Sequence, residues 1–578
     1  GFEVSSFWVA ILLSIGLTAI NVIASSLLTI DDDNSWYRNS VRRRIQRRTK
    51  PAETDVPGVL FLEFDGLAEP VLKRALDEGH LPTVAQWLED GSHRLVGWET
   101  DLSSQTSASQ AGILLGSNEN IPAFRWWDRE RKEIVSSSNP DEVARLEEEH
   151  STGDGLLAAN GASRGNLFSG DAPNVMTTAS TIKDTSRFHS TDFYAYFSNP
   201  YNFTRTFLLT IWDVILEKWQ FRKARRNNVY PISDKKKRGG IYPILRAFMT
   251  VIMRELNIYT LLGDIFAGTP SVYATFVGYD EVAHHSGVES EDAFDILRKL
   301  DQQLARLQSA LKHAPRPYLF VLLSDHGQSG GATFMQRYQV TLEEYIQQLA
   351  TEKFRVSGDV DVHEDWKQVN VFLSETINHD KGVAQKPLRR VLESRTEKDK
   401  VALGPEAEVQ KDKKAGSDLA EESAHEILAL ASGNLGVVYG TGADRRVTFE
   451  EVETVYPGLL DGLADHEGIG FVMVQSEEHG GVVVGAEGRY YLGDDRVEGE
   501  NPLAPFGPRA AEHLRRTNSF PDAPDLLVNS FFDPETHEVA AFEEQIGCHG
   551  GLGGYQTQPF LLYPSELPVP DEEIVGAE

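Results

Sequence analysis

Three apolar runs along the chain each end in acidic or histidine residues. The first, VLFLEFDGL, reaches Asp65, the second, SVYATFVGYDEVAHH, covers residues 271–285, and the third, YLFVLLSDHG, covers residues 318–327. Between the last two lies DAFDILRKLDQQLARLQSALKHA, where apolar residues recur at helical spacing. A strand, a helix and a strand in this order form a parallel sheet. We therefore predict an α/β core whose mainly parallel central sheet is flanked by helices.

Polar side chains follow each of these strands. In open α/β sheets, the residues at the carboxyl ends of parallel strands collect in one crevice. The pattern therefore predicts that three segments far apart in the chain meet at one site. A fourth segment, QIGCHGGLGGYQTQPFLLYP, is rich in glycine around His549, as expected where backbone passes close to a bound group.

Two segments interrupt this alternation and are predicted insertions, at about 118–267 and 350–430. The first contains two apolar helical patterns, TFLLTIWDVILEKWQF and IYPILRAFMTVIMRELNIYTLL, joined by the basic segment RKARRNNVYPISDKKKRGG. Three arrangements fit this pair: a cap over the crevice, a surface against a membrane, or an ordinary packed hairpin with a solvated loop. Within the second, residues 396–422 predict a solvated helix or a flexible loop.

Strand patterns resume after the second insertion. They are NLGVVYG, GIGFVMVQ, GGVVVGAEGRYYLG and DLLVNSFFD. The middle two flank the turn EEHGG and predict a β-hairpin.

Residues 7–30 carry no charge, and their 24 positions exceed the roughly 20 that a helix needs to cross a bilayer. We predict a transmembrane helix there, with a cleaved signal peptide and a buried core helix as the alternatives. The predicted organisation is an anchor with a basic flank at 1–50, followed by one catalytic domain at 51–578.

The flank carries seven basic residues between positions 38 and 50. The positive-inside rule places such a flank, and with it the large domain, in the cytoplasm, although the cluster also suits anionic lipid head groups. Three aspartates directly after the apolar run argue against that side.

The overall charge of the chain disfavours one class of binding partner. With 56 basic and 87 acidic residues the formal charge is −31, which disfavours a nucleic-acid polymer as partner because phosphate backbones need clustered positive charge. A single cysteine, Cys548, excludes an internal disulfide framework.

The strand ends and the glycine-rich segment supply the oxygen and nitrogen ligands that two divalent cations need. Carboxylates and imidazoles are the usual choice for zinc, which is the metal expected here, with manganese as the alternative. The candidate ligands are Asp65, Asp280, His284, Asp325, His326 and His549.

The order of these motifs resembles the alkaline phosphatase superfamily, and within it the type I phosphodiesterase/nucleotide pyrophosphatase branch. The resembling blocks are Asp-Gly, a Thr/Ser-rich turn, D-x-x-x-H, S-D-H-G and a distant G-x-H-G, over about 57–117, 271–345 and 525–565. The resemblance implies an alkaline-phosphatase-like core.

The resemblance also implies a nucleophile. In DLSSQTSASQAGILLGS, Thr106 stands ten positions before Gly116 and is expected to open a helix, with Ser107 and Ser104 as alternatives. Many family members carry Asn three residues after the nucleophile, where this chain has Ser109.

Carried over by position, the metal ligands fall into two sets, with His285 as a competitor for the role of His284. One set is Asp280, His284 and His549, and the other is Asp65, Asp325, His326 and the Thr106 oxygen.

The activity implied by the resemblance is hydrolysis of a phosphate ester, of nucleotide, lipid or other phosphodiester type, through a phosphothreonine. The alternatives are a membrane transferase of phosphoethanolamine or glycerophosphate type that uses the same threonine, and a membrane-anchored binding protein with a vestigial metal site. A sulfatase would need a C/S-x-P-x-R motif, and Cys548 has none around it.

Overall fold

A computed structural model describes most of the chain. The described residues are Trp36, 53–182, 195–196, 198–235, 237–350, 355–358, 396–397, 400–401, 426–568 and 573–578. The predicted membrane span at 7–30 and its basic flank at 38–50 lie outside them. Within the described part, no helix has both the length and the apolar character required to cross a bilayer.

The strands are numbered in chain order. They are β1 Gly58–Phe64, β2 His93–Gly97, β3 Arg125–Asp128, β4 Glu133–Ser136, β5 Ala162–Arg164, β6 Asn174–Met176, β7 Ser271–Phe276, β8 Tyr318–Leu323, β9 Ser329–Gly330, β10 Arg355–Gly358, β11 Thr396–Glu397, β12 Lys400–Val401, β13 Glu426–Ser432, β14 Leu435–Gly440, β15 Ile469–Ser476, β16 Gly480–Gly485, β17 Gly488–Tyr491, β18 Arg496–Gly499, β19 Leu526–Ser530, β20 Phe532–Asp533, β21 Glu538–Val539, β22 Gly547–Cys548 and β23 Phe560–Pro564.

The helices are numbered in the same way. They are α1 Glu69–Asp77, α2 Pro82–Glu89, α3 Thr106–Leu115, α4 Pro140–His150, α5 Pro200–Arg226, α6 Tyr242–Ala247, α7 Arg254–Ala267, α8 Gly278–Ser286, α9 Glu291–Ala310, α10 Phe334–Tyr338, α11 Leu342–Leu349, α12 Phe449–Val455, α13 Leu459–Ala464 and α14 Ala510–Asn518. A π-helical turn, Phe248–Met253, joins α6 to α7, and short 3₁₀ turns occur at Ala179–Thr181, Leu311–His313, Ala504–Phe506 and Gly554–Thr557.

The central sheet has seven strands in the order β2-β23-β8-β1-β7-β5-β6. The pairs β1/β7, β1/β8, β5/β7 and β5/β6 are parallel. Only β23 runs against its neighbours, β2 and β8. The predicted mainly parallel α/β sheet is therefore confirmed, and the three motif-bearing strands β7, β1 and β8 lie side by side.

Strand β1 alternates between two layers of core. Leu60, Leu62 and Phe64 pack on one side with residues of α1, α2 and α9. Phe61 faces the other side, toward a cluster that contains Ala111 of α3 and residues of the second sheet. Strands buried on both faces read as nearly continuous apolar runs, which is why the sequence showed this strand clearly.

A second sheet of eight strands has the order β10-β13-β14-β19-β15-β16-β17-β18 and is antiparallel except for β10/β13. The predicted hairpin around EEHGG is confirmed as β15 paired with β16. The predicted helix or loop at 396–422 is wrong at its start, because 396–397 and 400–401 form an antiparallel pair, and the remainder of that segment lies outside the described residues.

The expectation that residues 118–267 stand apart from the sheet is wrong for part of that segment. Strands β5 and β6 extend the central sheet beyond β7. They are only three residues long, so their hydrophobic pattern is too short to recognise. The two predicted helices are present as α5 and as the run from α6 through α7.

A buried ion pair joins helix α5 to α6. Glu217 accepts a hydrogen bond from Arg238 Nε at 2.7 Å and forms an ion pair with Arg246. Burial acts to raise the pKa of Glu217, but Arg238 and Arg246 outweigh burial and hold this pKa below its usual range. The carboxylate is therefore ionised and compensates two buried guanidinium groups.

Replacing that carboxylate should destabilise the protein strongly. Glu217→Ala leaves both arginines buried without this partner, so we expect the free energy of unfolding to fall by roughly 3–5 kcal/mol. Urea denaturation measures the change. Glu478→Ala is the control, because that side chain is 81% exposed and should shift stability by no more than about 0.5 kcal/mol. Equal urea midpoints for Glu217→Ala and Glu478→Ala would contradict the role of Glu217 as the partner of the two buried arginines.

Candidate active site

The three motif-bearing strands deliver their polar residues to one edge of the sheet. Asp65 follows β1, Asp280 and His284 lie on α8 directly after β7, and Asp325 with His326 follows β8. Because β1 lies between β7 and β8, these residues become neighbours. Gly66 permits the close approach: its φ is +72°, and a Cβ there would collide with the carboxylate of Asp280.

His549 reaches the same edge from the loop after β22. Its Nδ1 donates to the backbone carbonyl of Ser104 at 2.9 Å. Gly550 must be glycine, because its φ is +130° and a Cβ would meet the Gln105 side chain and the Ser432 carbonyl. This explains the glycine-rich composition around His549.

Two of the candidate ligand histidines, His284 and His326, are oriented by backbone carbonyl groups. His284 Nδ1 lies 2.7 Å from the carbonyl oxygen of Gly547, and His326 Nδ1 lies 3.0 Å from that of Gly327. A carbonyl oxygen only accepts, so Nδ1 carries the proton in each ring and Nε2 presents a lone pair. Histidines that bind metals are commonly fixed in this way.

The candidate ligand atoms form two groups, and His326 belongs to both. The groups are Asp280, His326 and His549, and Asp65, Asp325 and His326, with the ligand atoms of each group within 4.8 Å of one another. His284 joins the first group through Asp280, since His284 Nε2 and Asp280 Oδ2 are 3.0 Å apart. All six residues predicted as metal ligands are buried and lie together.

The electrostatics of the site suit bound cations. Burial and the negative charges of Glu63 and Asp280 raise the pKa of Asp325 well above its ordinary value. Burial also acts to raise the pKa of Asp280, but the nearby His284 and His549 outweigh burial, and the pKa of Asp280 is lowered. Buried carboxylates in such proximity gain most from a divalent cation, so the donor set fits metal binding.

Thr106 occupies the start of α3, as the sequence predicted. Gln105 before it is extended, and the helix ends at Gly116, whose φ of +81° terminates it. The Thr106 hydroxyl oxygen lies 3.1 Å from His326 Nε2. The hydroxyl is thus at a helix N-terminus and in contact with the residue common to both metal groups.

The competing residues are placed differently. Ser104 Oγ donates to the Gly551 carbonyl at 3.0 Å and accepts from Gly550 N at 2.9 Å, so it holds the glycine-rich loop. Ser107 is fully buried. His285 packs its ring 4.2 Å from that of Tyr242 and belongs to neither metal group among the described residues. The geometry favours Thr106 and His284.

A buried polar network behind α3 was missed by the sequence analysis. Gln110 Nε2 donates to Glu63 at 2.7 Å and to Thr275 Oγ1 at 3.1 Å, while Gln110 Oε1 accepts from Leu167 N at 2.8 Å. Glu63 also pairs with the hydroxyl of Tyr273. This network fixes α3 to β1 and β7. The one sequence feature that pointed to this network was a single glutamate, Glu63, within the apolar run of β1.

Breaking that network should displace Thr106. We expect Gln110→Leu to lower the free energy of unfolding by about 1–3 kcal/mol, because Glu63 and the Leu167 N–H lose a buried partner. We also expect kcat to fall about tenfold or more as Thr106 shifts. Urea denaturation and steady-state kinetics test both effects. Gln308→Leu, at an exposed position of α9, should change neither.

A separate cavity lies away from this cluster of side chains. Its volume is about 450 Å³, and its lining includes 97–99, 505–509, Phe532, His537 and 553–554. None of the six predicted ligands lines it.

Comparisons with solved structures give several matches at low identity. Phosphonoacetate hydrolase from Sinorhizobium meliloti, solved with phosphonoformate, shares 12% identity over 91% of this chain and 97% of its own, with a TM-score of 0.40. Murine ectonucleotide pyrophosphatase/phosphodiesterase 5 shares 11% identity over 90% of each chain, with a TM-score of 0.37. An inactive variant of that murine protein in complex with AMP gives 10% identity, 88% coverage of each chain and a TM-score of 0.36.

No curated protein sequence gives a significant match. The model of the type I phosphodiesterase/nucleotide pyrophosphatase family matches residues 59–453, which is more than half of the chain. Site and match together define a hydrolase of phosphoric esters. The chain belongs to the type I phosphodiesterase/nucleotide pyrophosphatase family.

Proposed function

We propose that this protein hydrolyses phosphodiesters through a covalent phosphothreonine at Thr106. The observation that carries the proposal is the position of the Thr106 hydroxyl, at the N-terminus of α3 and 3.1 Å from His326 Nε2. Around it stand six buried carboxylate and imidazole side chains of the kind that hold divalent cations. A vestigial site would normally have lost one of these donors.

In the first step, the Thr106 oxygen releases its proton to solvent and attacks phosphorus in line with the leaving group. The bond from phosphorus to the leaving oxygen breaks, and that oxygen takes up a proton from solvent. The unpaired N–H groups of a helix N-terminus favour an anion, so the first turn of α3 would stabilise the charge on phosphoryl oxygens bound there. The product of this half-reaction is a phosphodiester between Thr106 and the retained substituent.

In the second step, water attacks the same phosphorus and releases a proton to solvent, the bond to the threonine oxygen breaks, and that oxygen takes up a proton from solvent. A phosphate monoester leaves, and the enzyme returns to its starting state. Two divalent cations held by the two groups, which we propose to be Zn²⁺ with Mn²⁺ as the alternative, would favour the alkoxide and neutralise phosphoryl charge. His284, His326 and His549 hold their Nε2 atoms toward the site throughout, through their backbone contacts.

A panel of aryl esters tests the proposal. Metal-depleted protein is assayed with bis-aryl phosphate, aryl phosphate and an aryl ester of a nucleoside monophosphate, before and after addition of Zn²⁺ or Mn²⁺. We expect the diesters to be cleaved faster than the monoester, and only after metal is restored. Faster cleavage of the monoester would contradict the diester assignment, and full activity in metal-depleted protein would contradict the metal site.

A further inference from the structure

Helix α5 has its polar and apolar faces reversed relative to a usual surface helix. Its buried residues are all polar or charged: Asn202, Arg205, Thr206, Asp213, Glu217 and Gln220. Its outward face carries large apolar side chains that are about half exposed or more, with Trp212 at 60% and Trp219 at 56%. A surface helix normally directs its apolar stripe toward the core. An exposed apolar surface of this kind marks an interaction site.

The buried contacts fix this orientation. Asp213 accepts from the hydroxyl of Thr250 at 3.1 Å, and Gln220 accepts from Arg246 Nη1 at 2.7 Å. Near the start of the helix, Arg205 forms an ion pair with Glu255. If α5 were rotated to bury its apolar face, these polar and charged side chains would turn away from their partners and each contact would break. The apolar face is therefore held outward by the fold.

The outward face is a continuous helical stripe. Its members recur at every fourth position and are Phe203, Phe207, Ile211, Ile215 and Trp219, with Trp212 beside them. From the first to the last of these positions the stripe runs about 24 Å along the helix. The rings of Phe203 and Phe207 stack in parallel on the surface with centroids 6.2 Å apart. We call this set of six residues the α5 stripe.

Charge complements the α5 stripe at its C-terminal end. Residues 218–233 contain five basic residues and no carboxylate, although the whole chain has a formal charge of −31. The ammonium group of Lys223 lies 5.4 Å from the ring of Trp219, next to the stripe. Tryptophan prefers the boundary between hydrocarbon and head groups, and lysine and arginine bind anionic head groups.

The start of α5 lies beside Trp36, which follows the predicted membrane anchor in the sequence. Trp36 is buried and lines a small cavity together with Tyr201 and Arg205, in the first turns of α5. Six positions separate Trp36 from residue 30, the end of the predicted span, so the chain between them covers at most about 22 Å. A bilayer that holds the anchor therefore lies within reach of the α5 stripe.

We propose that the α5 stripe lies in the interface of a bilayer that contains anionic lipid, with the basic residues of 218–233 on the head groups. This surface fixes the orientation of the catalytic domain on the membrane. Ser233 Oγ, in the segment after α5, donates to the His285 carbonyl at 2.8 Å, so the docked unit is joined directly to α8. The inference does not depend on the reaction assigned to the active site.

Depth measurement on the full chain tests the proposal. Ile215→Cys is labelled with an environment-sensitive fluorophore, and the protein is reconstituted in phosphatidylcholine vesicles containing phosphatidylglycerol. The native Cys548 is buried, which limits competing label. Asp494→Cys is the matched control, since its side chain is 64% exposed in the hairpin between β17 and β18 of the second sheet. Ile211→Cys serves as a second position on the stripe.

We expect brominated-chain lipid to quench the labels at 211 and 215 about twofold or more, and the label at 494 little, because an interfacial helix inserts roughly 5–10 Å. Replacing phosphatidylglycerol by phosphatidylcholine, or introducing Lys223→Glu with Arg226→Glu, should reduce that quenching. Equal quenching at 494 and 215, or none at either, would overturn the proposal. Energy transfer between labelled copies that disappears on dilution in lipid, without bromolipid quenching, would instead show a second copy on the stripe and also overturn it.

Discussion

Thr106→Ala should abolish turnover while leaving the metals bound. The substitution removes the attacking oxygen but none of the carboxylate or imidazole ligands, and Thr106 is the first residue of α3, so the helix keeps its hydrogen bonds. We expect kcat to fall by at least about 10³-fold, in line with the loss of a covalent nucleophile in other enzymes. Metal content measured by elemental analysis should stay near that of the parent protein.

Two further variants locate the nucleophile within the serine-rich turn. Thr106→Ser keeps a hydroxyl at the same place and should retain part of the activity. Ser107→Ala should remain close to the parent rate, because the hydroxyl in contact with His326 is that of Thr106. If Ser107→Ala were inactive and Thr106→Ala active, the nucleophile would be the neighbouring serine.

Asp325→Asn should lower metal content and activity together. Asp325 is fully buried, 3.3 Å from His326 Nε2, and its carboxylate is one of three donors in its group. An amide lacks the charge that holds the cation. We expect the metal content to drop by about one equivalent, and kcat/KM to fall by more than the roughly 10–100-fold that loss of an outer partner costs. Elemental analysis and kinetics on the same preparation measure both quantities.

The control for this variant is another buried aspartate. Asp301 is 2% exposed and accepts from the Thr83 N–H on the helical layer, away from the metal groups. Asp301→Asn should therefore cost stability without changing metal content. Two full equivalents of metal in Asp325→Asn would show that its carboxylate is not a ligand.

Much of the central sheet was predictable, because parallel strands buried on both faces give long apolar runs. β1, β7 and β8 belong to this class, and their order around β1 brings the three motifs together. The three-residue strands β5 and β6 were assigned to an insertion, since a run that short has no readable period. β23 was not predicted as a strand, because its segment was interpreted only for its glycines and His549, and nothing local indicates that it enters the sheet between β2 and β8.

The candidate site was predictable to the extent that its residues lie in short motifs. Asp65, Asp325 and His326 follow their strands directly, so local sequence is sufficient to place them. Glu63 and Gln110 were not found, because their contact spans 47 positions and depends on how α3 packs against β1. Such tertiary contacts have no signature in the periodicity of either segment.

The position of β23 also has a consequence for how the protein is made. Gly97 and Phe560 pair directly although they are 463 positions apart, and β23 separates β2 from β8. At about 5–20 residues per second of synthesis, the ribosome adds the strand that fills this gap roughly 20–90 s after β2. Until then the nascent chain exposes two unpaired strand edges, and His549 is not yet in place beside Ser104. Such edges favour aggregation while translation continues, and the candidate ligand set is complete only late in synthesis.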